Sequence, residues 1–153
     1  MRISTAIGRL LLAACALLAW SATSAQNAET AIAVIVNPNS GVTRLDRNDA
    51  INIFMGRYRK LPSGLIAFPI DIGEHSEERA MFYRRLLDKD LDDIDAYWSR
   101  LVFSGQTPPP MIVPDARTAV ELVAGNRAAI AYVPAQAVDA RVRVVLELGK
   151  IPP

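Results

Sequence analysis

The sequence predicts an α/β domain, layered α/β/α around a mostly parallel sheet, and three observations point there. Apolar runs of strand length stand at residues 31–36, 65–72 and 128–133, and continuous runs of this kind suit strands covered on both faces by helices. Between them lie amphipathic segments of helical period, opened by aspartate or serine. Strands that alternate with helices build a parallel sheet through crossover connections.

Residues 1–25 stand apart from that domain. Arg2 and Arg9 form a basic start, residues 10–20 are apolar, and Thr23, Ser24 and Ala25 offer small side chains ahead of Gln26. This is the pattern of a secretory signal peptide, whose apolar stretch is too short to span a bilayer. Leu12-Ala13-Ala14-Cys15 resembles a lipoprotein cleavage site, but the apolar stretch continues past Cys15 to Trp20, which favours cleavage after Ala25. The expected mature chain, residues 26–153, is exported to the periplasm with 128 residues, no cysteine and no membrane span. That length can bury a real core without disulfides. Its 15 basic and 16 acidic residues nearly balance, so no clustered basic surface for nucleic acid is expected.

The elements follow in order. After a polar leader, residues 31–36 form the first strand, and Asn37-Pro38-Asn39-Ser40-Gly41 ends it as a turn. Asp46 caps the next helix, with Asp49 three residues on and Leu45 in the staple position; Ala50, Ile51 and Phe54 share its inner face, and Gly56 stops it. A turn at residues 61–64 delivers the second strand, residues 65–72, and Ser76 opens a helix to about Leu87. Residues 88–92 link to a further helix, capped by Asp92, whose Ile94, Tyr97, Trp98, Leu101 and Val102 follow the best amphipathic register in the chain. Three prolines at 108–110 form an extended crossing. A short strand follows at residues 111–113, then a helix capped by Asp115 and closed by Gly125, a buried strand at 128–133, and a last strand at 141–148 whose Arg141 and Arg143 suggest an edge.

Few of these residues suit catalysis. There is one histidine, His75, in a polar turn; the expected mature chain lacks cysteine, and no G-x-S-x-G elbow occurs. Asp88, Asp90 and Asp92 alternate like the start of a calcium loop, but the glycine and glutamate such a loop needs are replaced by Asp93 and Ser99. No catalytic group, metal site or cofactor is therefore expected. The remaining candidate is the strand-to-helix corner at Ser76. Ligands of open α/β sheets sit at the carboxyl ends of strands, where free N–H groups of the next helix face them. A serine there is also an ordinary N-cap, and Glu77 and Glu78 place two negative charges where an anion would dock; Arg79 is the nearest offsetting charge.

With these elements in place, the chain resembles the substrate-binding proteins of phosphate ABC transporters, of the type 2 periplasmic-binding-protein kind. The resemblance runs through residues 46–56 (DRNDAINIFMG), the helix from Ser76, residues 97–105 (YWSRLVFSG), the prolines and residues 129–133 (AIAYV). It implies one lobe of a two-lobed receptor, no catalysis, and a small oxyanion such as phosphate held near Ser76 and Arg79. The family's Ser-Gly-Thr phosphate loop reads Ser76-Glu77-Glu78 here, and Ile72 stands where its arginine would. Two functions are thus expected: solute binding or sensing, with the second lobe supplied by a partner chain, or an interaction protein that keeps the fold and contacts an envelope protein or transporter. A free apolar patch on the folded domain would favour the second.

Overall fold

The computed structural model describes residues 31–149, so the expected signal peptide, Cys15 and residues 150–153 lie outside the described residues. The elements are β1 Ile32–Val36, α1 Arg47–Phe54, β2 Phe68–Ile72, α2 Glu77–Leu87, α3 Leu91–Phe103, β3 Met111–Val113, α4 Ala116–Gly125, β4 Ala129–Pro134 and β5 Arg143–Leu148, with a single 3₁₀ turn at Ala135–Ala137. They form one five-stranded sheet in the order β3-β2-β4-β1-β5. β2 pairs in parallel with both β3 and β4, while β1 is antiparallel to β4 and to β5. Four of the five strands therefore point one way, and β1 alone is reversed, which makes the sheet mixed.

The core sits where β1 and β4 lie side by side. Every residue of β1 is buried, as is β4 up to Val133, so both faces of the sheet's centre are covered. On one face Tyr132 stacks on Phe82 of α2 with ring centroids 3.7 Å apart, and Phe54 of α1 meets Phe82 edge-on at 4.8 Å. Neighbouring β4 residues point the other way; these are Ala129, Ala131 and Val133, small enough for α4 to pack closely with its Ala119, Val120 and Val123. Asn37, at the end of β1, donates to the carbonyls of Val123 and Ala124 and so satisfies the last turn of α4.

Each helix start is capped by the side chain of the preceding residue: Asp46 accepts from Asp49 N, Ser76 from Arg79 N, Asp90 from Asp93 N and Asp115 from Thr118 N. The cap of α3 is Asp90 and not Asp92. The aspartate two residues earlier begins the helix because Leu91 then falls on the inner stripe, half-buried against the core. β2 is also shorter than the apolar run suggests. Ile66 is 73% exposed and bridges Lys60 in antiparallel fashion before the strand begins. In α3 the stripe of Ile94, Tyr97, Trp98 and Leu101 faces inward, with the helix packed against α2, but Val102 is exposed.

Candidate functional site

The corner between β2 and α2 depends on one glycine. Gly73 adopts φ +52°, and a Cβ there would lie 2.8 Å from the Ser76 Cβ, so the tight left-handed turn requires a residue without one. Its N–H donates to the Val113 carbonyl at 2.7 Å, which ties the turn to the end of β3. Ser76 then reaches both ways along the turn: its hydroxyl donates to the Ile72 carbonyl at 2.6 Å and accepts from Arg79 N at 3.1 Å. The serine thus joins the strand end to the helix start, and His75 is exposed beside it.

Arg79 points back into the protein. Its Nε donates to Asp71 Oδ2 at 3.0 Å, Nη1 to the Glu74 carbonyl at 2.7 Å and Nη2 to Asp95 Oδ1 at 2.8 Å. The guanidinium carbon also lies 5.6 Å from the centre of the Tyr83 ring, within cation–π range. All three nitrogens are engaged, and the side chain is 4% exposed. Burial works against this charge, yet the hydrogen bond to Asp95 and the neighbouring Asp71 carboxylate outweigh it and hold the Arg79 pKa above its ordinary value.

Asp71 is the hub of the cluster. Besides Arg79 it accepts from Tyr83 Oη, which lies 2.9 and 3.1 Å from its two oxygens. Burial raises its pKa above the ordinary carboxylate value, with Arg79 and the tyrosine hydroxyls pulling the other way. The Tyr83 and Tyr132 phenols are pushed well up by burial and then by the Asp71 charge, so both remain hydrogen-bond donors at neutral pH. Tyr132 Oη accepts from Ile72 N at 3.2 Å. Sequence reasoning brought Ser76 and Arg79 to this corner but missed Asp71, Tyr83, Asp95 and Tyr132. One signal was present: a lone aspartate inside the strand FPIDI, where a buried charge requires a cation nearby.

A second feature lies at the other end of the same strands. The beginnings of β2 and β3, the turn after α1 and the proline crossing enclose a largely apolar hollow of about 400 Å³, bounded by Tyr58, Ile66, Phe68, Trp98, Pro108 and Met111. A smaller hollow of about 300 Å³, with Val102 and Gly105 on its wall, shares Thr107, Pro108 and Pro109 with it. Among the described residues no cluster of histidine, cysteine, aspartate and glutamate is arranged to hold a metal, and no helix is long and apolar enough to cross a membrane.

No protein-family model matches the sequence, and no curated protein does. Solved structures match the fold. An ABC-type phosphate transport receptor from Vibrio cholerae superimposes with a TM-score of 0.60 at 17% identity, over 74% of this chain and 44% of that one. A protein from Clostridium perfringens, assigned as a phosphate ABC transporter substrate-binding protein and solved with bound phosphate, gives a TM-score of 0.60 at 21% identity, over 74% of this chain and 43% of that one. The match spans less than half the length of either receptor. The protein accordingly has an α/β domain with a five-stranded mixed sheet, similar to part of a phosphate-transport receptor.

Proposed function

We propose that the protein is an exported, non-catalytic module that keeps the fold of a phosphate-receptor lobe and uses it to contact another envelope protein or a transporter component. The observation that carries this reading is the state of Arg79. The cation nearest the α2 N-terminus is turned inward and balanced by Asp71 and Asp95, while Glu77 and Glu78 occupy the first turn. An incoming anion would meet two carboxylates and no free guanidinium, and the net field there opposes it. The apolar hollows at the opposite end supply the contact surface that an interaction module needs.

A second reading is supported by the phosphate bound in the C. perfringens structure of the same fold. In it, a small oxyanion such as phosphate docks at the start of α2 against the Ser76 hydroxyl and first-turn N–H groups, with Arg79 as a charge behind them. The two readings separate in a thermal unfolding series of the full chain with phosphate, sulfate and small carboxylates. An anion at about a hundredfold its Kd adds about 2.7 kcal/mol of stability, a clear rise in midpoint. The interaction reading expects no rise with any of them. A rise with one anion that disappears in Ser76→Ala would establish the solute-binding reading in its place.

A further inference from the structure

We infer that the paired hollows at the amino ends of β2 and β3 form a docking groove for an acidic protein segment that inserts apolar side chains between flanking carboxylates. This rests on the interaction reading above and names the chemistry of the partner.

Exposed hydrophobic side chains are unevenly placed on this protein. Those standing out are Tyr58, Ile66, Phe68, Val102, Phe103, Met111 and Ile112. The first four and Met111 line the two hollows; Phe103, 94% exposed, and Ile112 adjoin lining residues in the chain. Five of the seven named residues thus gather at the hollows, and apolar surface concentrated in this way marks a place where another molecule removes it from water.

The groove is built in advance. Trp98 forms its floor and is 5% exposed; a Cβ at Gly56 would come within 2.9 Å of both the Trp98 ring and Thr107 Cγ2, so the turn after α1 fits tightly against that floor. Arg59 Nη2 donates to the Gln106 carbonyl at 2.9 Å and Tyr97 Oη to the Met55 carbonyl at 2.7 Å, which fix the two walls relative to each other. A rigid groove spares the ordering cost that a floppy one would add on binding.

The electrostatics select the occupant. Arg59 is the charged residue among those that line the hollows, which include no acid, and Arg57 and Lys60 stand exposed on either side of it. A segment bearing carboxylates beside its apolar anchors matches this rim, whereas a basic one is repelled. The mode of contact is also restricted. β3 is an edge strand of three residues, and the prolines at 108–110 before it lack N–H groups. An added strand would find no donors along that crossing, so side chains entering the hollows must carry the recognition.

The test is selection of a random twelve-residue peptide library displayed on phage against the immobilised full chain. Recovered peptides are expected to be rich in aspartate and glutamate next to leucine, phenylalanine or tryptophan. Synthetic copies should bind at least tenfold more weakly to Ile66→Glu and to the double variant Arg57→Glu, Arg59→Glu, and equally to Arg117→Glu, a charge reversal on α4. Ile66 is 73% exposed, so its variant should fold, which circular dichroism checks. Peptides that need Ile66 but carry no acidic bias would overturn the partner chemistry and leave the interaction reading standing. No peptide sensitive to Ile66→Glu, together with an anion-dependent rise in midpoint lost in Ser76→Ala, would overturn both. Two further results would also defeat the inference: a dimer by light scattering that Ile66→Glu dissociates, which would make a second copy the occupant, or Ile66-dependent sedimentation with phosphatidylglycerol vesicles, which would make it a membrane surface.

Discussion

Arg79 shows how little the sequence neighbourhood of a residue reveals about its side chain. Its position, three residues after the N-cap of α2, suggests a cation near an anion site, but three turned-in hydrogen bonds make it part of the core. The aspartate that draws it inward stands eight positions earlier, on a strand, and Asp95 stands sixteen later, on α3. Neither pairing follows a local spacing rule: Asp71 within its strand signalled that some cation must lie near, but only the folded chain identifies it as Arg79. The energetic consequence is testable. Arg79→Met strands the buried Asp71 carboxylate, and removing one partner of a buried pair costs about 3–5 kcal/mol. Urea unfolding should show a loss of that size; a loss below 1 kcal/mol would mean that Asp71 is solvated or neutral without its partner.

At the scale of elements, the caps were the most legible feature. Asp46, Ser76 and Asp115 are recognisable because a short polar side chain before an apolar period has one favourable use there. Asp90 was harder to find. It competes with three further aspartates in the stretch 88–93, and only the inward placement of Leu91 decides among them. Asp115 also sets a pH dependence. Hydrogen bonds from Thr118 N and Oγ1 hold its carboxyl below the ordinary value of 3.8. A carboxyl depressed by folding stabilises fully above its unfolded pKa and loses that contribution as pH falls through the folded value. Asp115→Asn keeps a capping oxygen without the charge. Its midpoint should differ from the parent's at neutral pH, and the two curves should begin to approach only as pH falls below 3.8 and meet once pH is below the folded value. Gly73 is the other element-level constraint. Gly73→Ala forces a side chain into the left-handed region and against Ser76, and should cost at least about 1–2 kcal/mol by thermal unfolding; an unchanged midpoint would show that the turn can open.

For the whole molecule, the layered architecture was legible because continuous apolar strands and amphipathic helices leave few other ways to bury both faces. The mostly parallel sheet was legible too, with four of its five strands running one way, but nothing in residues 31–36 marks β1 as the one that is reversed. The apolar hollows escaped notice for a related reason: Tyr58, Ile66, Val102 and Met111 come from four separate segments and become neighbours only through the fold. Their exposure also bounds what surface changes should do. Phe103→Glu, at the tip of α3, should leave the midpoint within about 0.5 kcal/mol of the parent, since the ring makes little contact in the folded domain.

The place of β1 in the sheet has a consequence for how the chain is made. It is the first strand in order, yet both of its neighbours, β4 and β5, begin only at Ala129 and Arg143. A nascent chain stopped short of β4 has no seat for its most apolar strand, and closing so long a loop makes the centre of the sheet late to form. Pulsed proteolysis of released chains should therefore find those ending at residue 128 cut readily and those ending at 153 protected. A sheet whose central strand waits for β4 and β5 leaves every described element before residue 129 open to proteases and chaperones until those two strands are made.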